Sequence, residues 1–263
     1  DIRNIRIRAL ATDNSLGSRR AFGYSLRPSG AGVARAEDGP MADDATPSDT
    51  HYETLYTEEY FSGRRSFFYR VTGGYRDLGA VFDGYAADIR RHAGPGGRLL
   101  DIGCAYGFLL RRLADQFETF GLDVSEHAVA RAREVSPRST VAVHNILQPL
   151  PFDDGWFDVV TMNDIVEHVP GTDRILAEVA RVSRSGAILY VTTPNRNFIR
   201  RTLYRIPDRM EHHVNLLSYR ELGELLDAAG FDTVERFTSI NALFKRRFSR
   251  GVGPEQTYIA RRR

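Results

Sequence analysis

The sequence of 263 residues contains little cysteine, little lysine and no long apolar run. Its single cysteine, Cys104, excludes an internal disulfide bond and a zinc site built from several cysteines. No apolar run approaches the roughly 18 residues of a membrane span, and no short apolar segment follows an N-terminal basic cluster. We therefore expect a cytoplasmic protein that neither crosses a membrane nor is secreted.

An excess of charge of one sign is also missing. The chain has 36 basic and 34 acidic residues, a net charge of +2, and Lys245 is its only lysine. With this balance, no overall electrostatic field marks the chain as a nucleic-acid binder. Two arginine-rich segments, 196–209 and 245–250, leave open an acceptor that carries phosphate or carboxylate groups, or an RNA-facing surface. A solvated amphipathic helix is the simpler interpretation of the first segment.

The first 96 residues differ in composition from the remainder. Residues 1–50 are rich in Arg, Ser, Gly and Ala without a sustained period, which predicts a disordered extension. Met41 resembles a natural start, so a tag or upstream sequence is expected before it, with an Arg-rich targeting peptide as the alternative. Residues 51–96 are aromatic and compatible with helices, and we expect them to form a helical cap.

From residue 97 onward, short apolar runs alternate with segments of helical spacing. Strands are predicted at 98–101, 119–123, 140–144, 157–162 and 187–192, and helices at 107–116, 126–134 and 173–184. A further helix begins after Ser218 and stops at Gly230. Strands at 232–238 and 256–261 should follow as an antiparallel pair. This order predicts a doubly wound α/β domain over 97–263 with a mostly parallel sheet.

The first predicted strand ends in the stretch "LLDIGCAYG", in which an aspartate precedes two glycines. Ligands of such sheets bind beyond the carboxyl ends of the strands. Gly103 lets the chain turn tightly, and Gly107 lets a helix start close to the sheet or to a ligand. A second acid, Asp123, ends the next strand 22 residues after Asp101, where an acid can bind ribose hydroxyls. The pattern predicts a cofactor that contains a nucleoside.

The spacing of the glycines argues against a nicotinamide dinucleotide. That cofactor is typical of G-x-G-x-x-G, in which backbone amides approach a pyrophosphate. Here three residues separate Gly103 from Gly107, and Asp101 would repel a diphosphate. The same carboxylate attracts a ligand that carries ammonium and sulfonium charge. S-adenosylmethionine (SAM) is such a ligand.

Together with "GLDVS", "LPFDDGWFDVVTMNDIVEHV" and "HHVNLLSYRELGELLDAAGF", this stretch resembles the class I, Rossmann-like SAM-dependent methyltransferases. The likeness is greatest to the branch of ubiquinone-biosynthesis, natural-product and sugar O-methyltransferases, and it covers roughly residues 97–231. It rests on the ordered set of motifs. The resemblance implies a seven-stranded Rossmann-like sheet and methyl transfer from SAM, with S-adenosylhomocysteine (SAH) as product. The implied acceptor is a small molecule, most readily a hydroxyl group.

The family pattern also implies which residues bind the cofactor. They are Asp101, Gly103, Cys104, Ala105, Tyr106 and Gly107 in the glycine-rich loop, Asp123 and Val124 at the ribose, Asn145 and Ile146 at the adenine, and Asn163 at the methionine moiety. Asn145 stands where the family usually has an aspartate, and its amide oxygen can accept the same hydrogen bond. Ala105 replaces the commonest glycine, which costs little if the backbone there keeps a negative φ.

Transfer to a hydroxyl requires alignment of the acceptor and a base near the fourth strand. His168 is the first candidate, because imidazole titrates near neutral pH; capping of the turn after the strand is the alternative. His212 and His213 are the next candidates, and ordering of a lid is their alternative role. Asp164, Glu167 and these histidines could also ligate magnesium or zinc. Without a recognisable ligand spacing we expect no metal.

Other functions remain open at this point. One alternative is an RNA or protein methyltransferase, and another is a non-catalytic SAM-binding protein. The motifs Asn-Pro-Pro-Tyr and Asp-Pro-Pro-Tyr of base N-methyltransferases are absent, and "NDIV" stands in their place. The retained glycine loop and Asp123 argue against a protein that lacks catalysis. Tyr60, Phe61 and Tyr69 could close over the cofactor or acceptor, or only pack a helix onto the sheet. The oligomeric state is not predicted.

Overall fold

The computed structural model describes residue 52 and residues 54–204, 208–209, 211–240, 246–248 and 251–263. All of them belong to one compact unit, Pro47–Arg263. The predicted disordered extension lies outside the described residues, as do residues 205–207 of the arginine-rich segment 196–209 and residues 245, 249 and 250 of the segment 245–250. Within the described residues, no helix combines the length and apolar character that a membrane crossing requires.

Short helices precede the sheet. They are α1 (Glu58–Phe61), α2 (Phe67–Thr72) and α3 (Ala80–Ala93). The side chain of Ser66 caps α2 by accepting the backbone N–H of Tyr69. These elements occupy the region that sequence analysis predicted as a helical cap.

The sheet and its connecting helices follow in strict alternation at first. The elements are β1 (Arg98–Ile102), α4 (Phe108–Leu113), β2 (Glu118–Asp123), α5 (Glu126–Val135), β3 (Thr140–Val143), β4 (Phe157–Asn163), a 3₁₀ turn (Val166–His168), α6 (Thr172–Val182), β5 (Ser183–Pro194), α7 (Phe198–Leu203), α8 (Tyr219–Ala228), β6 (Phe231–Ile240), β7 (Arg246–Phe248) and β8 (Glu255–Arg262).

The strands lie in the order β3-β2-β1-β4-β5-β8-β6-β7. β1 to β5 are parallel, whereas β8 runs antiparallel to both β5 and β6. This arrangement confirms the predicted α/β fold with a mostly parallel sheet and antiparallel C-terminal strands. The expectation of seven strands was wrong, because the described residues form eight. The additional strand, β7, pairs with the end of β6, and its three basic and aromatic residues show no alternating pattern.

Most predicted boundaries agree with the structure to within three residues. The strand predicted at 187–192 begins four residues earlier, because Ser183 already pairs with Phe157 as the first residue of β5, and the helix predicted at 173–184 therefore ends at Val182. The predicted caps of α8 are confirmed. Ser218 forms a reciprocal capping box with Glu221, and Gly230 has a φ of 88° just beyond the helix.

Both faces of the sheet are buried. On one face the strands pack against α6 and α8, with Leu176 and Leu222 inaccessible to solvent; on the other they pack against α3 and α4, where Ile89 and Leu110 are equally buried. The strand order reverses between β1 and β4, so that a crevice opens at the carboxyl ends of these strands. The candidate site lies there.

Candidate functional site

Two adjoining cavities lie at the carboxyl edge of the sheet. The first cavity, of about 710 Å³, opens beyond the ends of β1, β2 and β4. The second cavity, of about 760 Å³, lies between α3, the ends of β5 and β8, and the 3₁₀ turn. Tyr60, Tyr69, Tyr85, Asp164 and His168 line both cavities. The two cavities therefore adjoin through these shared residues.

Asp101 lines the first cavity as a deeply buried carboxyl group. Burial raises its pKa to about 7, although hydrogen bonds from Thr161 and Asn163 lower it. The Thr161 hydroxyl donates to Oδ1 of Asp101 over 2.6 Å. A buried carboxyl whose donors are neutral is suited to pair with an ammonium group. Asn163 lines the same cavity.

Asp123 connects the end of β2 with the glycine-rich loop. Its Oδ1 accepts the backbone N–H of Ser125 and its Oδ2 that of Ala105, each over 2.9 Å. Burial raises the pKa of Asp123, while these backbone donors lower it. Each carboxylate oxygen has a further lone pair, so a pair of vicinal hydroxyls in the cavity can still bind. Val124 lines the cavity beside it.

The backbone of the loop is left-handed at three positions. Gly103 has a φ of 73°, and a Cβ at this position would overlap the Ile165 side chain. Gly107 has a φ of 72° and begins α4, where a Cβ would lie 3.2 Å from Cβ of Ala132. Ala105 has a φ of 45°. The condition of a negative φ at Ala105 is therefore not met, and alanine here is strained. In this left-handed conformation the backbone N–H of Ala105 donates to Asp123.

We expect the substitution Ala105→Gly to stabilise the protein by up to about 1 kcal/mol, because glycine adopts a positive φ without a Cβ clash. Denaturant unfolding followed by circular dichroism measures this change. Ala114→Gly is the matched control, since Ala114 has a φ of −68° at the end of α4 and gains nothing from glycine. If Ala105→Gly lowers the free energy of unfolding as much as Ala114→Gly does, alanine is not strained at position 105.

The glycine-rich loop divides between the cavity and the protein interior. Cys104 and Ala105 line the first cavity, and burial raises the pKa of the Cys104 thiol, which keeps it neutral. Tyr106 and Gly107 are not among the lining residues. The Tyr106 ring packs 5.0 Å from Phe61 between centroids, and its hydroxyl lies 3.0 Å from Nε2 of His127. The structure thus does not bring Tyr106 and Gly107 to the wall of the first cavity, where the other predicted cofactor residues lie.

The predicted adenine residues line the first cavity after β3. Oδ1 of Asn145 accepts the backbone N–H of Leu147 over 3.0 Å, which fixes the orientation of the amide at the cavity wall. Ile146 adds an apolar wall. His144, which sequence analysis did not select, also lines the cavity, and its Nε2 is buried without a hydrogen-bond partner within the described residues. His144 could have been selected from the sequence, because it directly follows β3 and ligands of such sheets bind beyond the strand ends.

Two of the three predicted catalytic histidines lie together. The rings of His168 and His213 have centroids 4.9 Å apart, and both residues line the second cavity. Burial, together with the charges of His213 and His212, lowers the pKa of His168 to about 3. His212 is exposed, has a φ of 57° and is not among the lining residues of either cavity.

Asp208, which sequence analysis did not select, holds His213, and Arg200 in turn holds Asp208. Nδ1 of His213 lies 2.9 Å from Oδ1 of Asp208, and the same oxygen accepts Nη2 of Arg200 over 2.6 Å. Arg200 also donates to Glu255 over 2.7 Å. Burial raises the pKa of Asp208, but the hydrogen bonds of His213 and Arg200 outweigh burial and hold it below its usual value. Arg200 is only 2% exposed, so its interpretation as part of a solvated helix was wrong.

A group with ligand atoms suitable for a metal ion lies in the second cavity. Glu167, His168 and His213 each offer one such atom, and these atoms lie within 4.8 Å of one another. Oε2 of Glu167 accepts the Thr193 hydroxyl over 2.8 Å, and burial raises its pKa well above the usual value. Sequence analysis found no ligand spacing because Glu167 and His213 are far apart in the chain.

The helices before the sheet reach both cavities. Tyr60, Phe61 and Tyr69 line the first cavity, and the Tyr60 hydroxyl donates to Oε2 of Glu211 over 3.2 Å. Ser66 donates to Oε1 of the same carboxylate over 2.9 Å. Glu211 therefore ties these helices to the segment that carries His213, and both Tyr60 and Glu211 line the second cavity.

Comparison with solved structures supports the fold. The magnesium protoporphyrin IX methyltransferase from Synechocystis PCC 6803, solved with bound SAH, superimposes with a TM-score of 0.59. The superposition covers 80% of this chain and 99% of that chain, at 17% sequence identity. This likeness concerns the fold alone, because one fold can carry many functions.

Curated proteins of similar sequence include two kinds of methyltransferase. The chain is 37% identical to a ubiquinone biosynthesis O-methyltransferase of Hahella chejuensis, over 41% of this chain and 47% of that protein. It is 33% identical to a sarcosine/dimethylglycine N-methyltransferase of Halorhodospira halochloris, over 41% of each chain. The chain spans about half the length of the curated relatives that it matches.

The match to a known domain covers more of the chain than these pairwise alignments. Residues 79–236 match the family described as "Methyltransferase domain". This range includes β1, β2 and β4, whose ends line the first cavity, and it extends through α8 into β6. The resemblance found in the sequence is thereby confirmed, and the chain belongs to the methyltransferase-domain family.

Proposed function

We propose that the protein is a SAM-dependent methyltransferase that transfers a methyl group to a small-molecule acceptor, with a hydroxyl as the accepting group. The observation that carries the proposal is that Asp101 and Asp123, at the ends of neighbouring strands, line one cavity of about 710 Å³. Methyltransferases among the relatives support the reaction class. We further propose a cytoplasmic setting for this reaction.

The first cavity has the chemistry that SAM requires. Asp101 would hold the ammonium group, Asp123 the ribose hydroxyls and Asn145 the adenine amino group, while Ile146 and Val124 provide apolar contact. Gly103, Cys104 and Ala105 would shape the loop beside the methionine moiety, and Asn163 lines the same cavity at the end of β4. Bound SAM would supply a methyl group that its sulfonium has already activated.

The second cavity is the proposed acceptor site. It adjoins the first through Asp164 and His168, so an acceptor there would lie beside the cofactor. Its protein walls would orient the acceptor and exclude water. Alignment of this kind can lower the activation barrier by about 7–11 kcal/mol. Glu211 would hold the tyrosine-bearing helices in place over this cavity.

We propose His213 as the general base. An ionised carboxylate only accepts hydrogen bonds, so Asp208 selects the tautomer of His213 with a proton on Nδ1. Nε2 is then free to take the proton of an acceptor. Arg200 keeps Asp208 ionised and in place. His168, whose pKa burial lowers to about 3, is a much weaker base and is proposed to position the acceptor.

A titration tests the cofactor. In calorimetry with the full chain, SAH should bind with a micromolar dissociation constant, whereas NAD should not bind at about 1 mM. Binding of NAD, or no binding of SAH at about 1 mM, would contradict the proposed function. A screen for methyl acceptors would then have no justification, because it presupposes that SAM is the methyl donor.

The same titration has an expected pH dependence. The free protein holds Asp101 with a pKa of about 7, and the ammonium group of SAH favours its ionised form. Binding below this pKa must therefore release a proton, so affinity should rise about tenfold from pH 6 to pH 8. Asp101→Asn should remove this dependence. An unchanged pH dependence in Asp101→Asn would show that another group titrates.

A further inference from the structure

The helix α7 is oriented in the opposite sense to an ordinary surface helix. A surface helix usually buries an apolar stripe and leaves its charged residues in water. In α7 the buried residue is Arg200, which is 2% exposed and pairs with Asp208 and Glu255. Phe198 and Leu203, in contrast, are 82% and 70% exposed. Packing within the chain therefore does not explain why this helix carries large apolar side chains.

Polar contacts fix α7 in this orientation. The Asn197 side chain caps the helix by accepting the backbone N–H of Arg200, and its Nδ2 donates to the carbonyl oxygen of Gly253 over 2.7 Å. Nη1 of Arg200 donates to the carbonyl oxygen of Pro254 over 3.2 Å. Arg200 also lines the second cavity. The second cavity thus lies on the inner side of α7, and the apolar side chains lie on the outer side.

The outer surface of this part of the chain is apolar and basic. Six exposed residues form what we call the α7 surface: Phe198, Ile199, Arg201, Leu203, Arg209 and Val214. The acidic residues between positions 196 and 214 are Asp208 and Glu211, which are 7% and 4% exposed and accept hydrogen bonds from other side chains. Among the described residues, neither arginine of the α7 surface has an acidic partner. Uncompensated positive charge therefore lies beside exposed apolar side chains.

This combination is complementary to a bilayer that contains anionic lipids. Guanidinium groups bind the phosphates of lipid headgroups, and each basic residue near an anionic surface strengthens binding roughly fivefold. Large apolar side chains enter the boundary between headgroups and acyl chains, where they leave water. A protein can bind a membrane surface in this way without a helix that crosses it.

Other occupants match the α7 surface less well. An RNA strand would pair with the arginines, but Ile199, Leu203 and Val214 have no ring on which a base can stack. A second copy of the chain in a two-fold dimer would place the same arginines against each other without an acidic partner. The aliphatic side chains argue against RNA, and the positive charge argues against self-association.

We propose that the α7 surface binds membranes that contain anionic lipids and holds the protein at their surface. Phe198 and Leu203 enter the boundary below the headgroups, and Arg201 and Arg209 bind phosphate groups. The inference does not depend on the proposed function, because the α7 surface lies outside both cavities. If the proposed function also holds, the acceptor site lies directly behind the membrane-bound helix.

Sedimentation with lipid vesicles tests the proposal. The full chain is mixed at about 0.1 M salt with vesicles of phosphatidylcholine alone, or of phosphatidylcholine with about 30% phosphatidylglycerol. Binding to the anionic vesicles should be at least about tenfold stronger than binding to the neutral vesicles. Equal binding to both kinds of vesicle, or no binding to anionic vesicles at about 1 mM lipid, would overturn the proposal.

Variants are needed because the predicted N-terminal extension also contains arginines. The double variant Phe198→Ser, Leu203→Ser should weaken binding to anionic vesicles at least about tenfold, and Arg201→Gln should weaken it about fivefold. Val234→Ser and Arg138→Gln are the matched controls, because both residues are exposed and lie outside the α7 surface. They should change binding less than about twofold. Circular dichroism checks that every variant is folded.

The remaining outcomes assign the α7 surface to another partner. Equal binding of the folded double variant and the parent protein would show that another part of the chain binds the lipid, and the proposal fails. Self-association of the parent in analytical ultracentrifugation, lost in the double variant and without vesicle binding, would identify an interface between copies. Binding of single-stranded RNA without vesicle binding, weakened by Arg201→Gln but not by Leu203→Ser, would identify a nucleic-acid surface. Each of these results overturns the proposal, whereas a failure of SAH binding overturns only the proposed function.

Discussion

Replacing Asp123 with alanine should weaken the binding of SAH at least about 100-fold, because two hydrogen bonds to a charged group, each worth roughly 1.5–3 kcal/mol, are lost. The carboxylate also accepts the N–H groups of Ala105 and Ser125, so the glycine-rich loop loses its anchor at the same time. Calorimetric titration of SAH into the variant measures the effect.

Two variants show whether the loss is specific. Asp123→Asn keeps one acceptor oxygen and should bind SAH with an intermediate affinity. Asp115→Ala removes a carboxylate that is 69% exposed and should bind SAH as the parent protein does. Circular dichroism of all three variants checks the fold. Binding by a folded Asp123→Ala within about threefold of the parent would refute the ribose role.

Replacing His213 with alanine should lower kcat about 10²- to 10⁴-fold with any hydroxyl acceptor found by screening, the usual contribution of a general base. His212→Ala is the matched control, because this neighbouring histidine is exposed and does not line either cavity. It should retain activity within about threefold. Transfer of a radioactive methyl group from SAM measures both rates.

The role of Asp208 can be separated from that of His213. Asp208→Asn should lower kcat more than it raises KM, because Asp208 selects the tautomer of His213 that leaves Nε2 to take the acceptor's proton. SAH binding should be unaffected. Equal losses in His212→Ala and His213→Ala, or an unchanged kcat in Asp208→Asn, would contradict a base at His213.

The sequence carried the information for the sheet and for the cofactor loop. Strands buried on both faces are continuous apolar runs, and turns require glycine at positive φ, so β1 and Gly103 could be located from local patterns. The carboxyl ends of parallel strands meet at one edge of a sheet. This rule predicted that Asp101 and Asp123 lie close together, and in the structure both line the first cavity. Such features depend on neighbours in the chain.

Other features depend on distant contacts. β7 was missed because three residues on an edge carry no period, and the strain at Ala105 was missed because its φ is decided by the hydrogen bond to Asp123. Arg200 resembled a surface arginine until its pairing with Asp208 placed it inside. None of these could be inferred from local spacing.

The sequence by itself determined the family, the parallel sheet and the first cavity, because hydrophobic period and turn chemistry are local properties. Only the tertiary structure decided which of two adjacent histidines, His212 or His213, meets Asp208 and which charges line the second cavity. Burial and ion pairing set these properties, and both depend on segments that are distant in the chain and meet only when it folds.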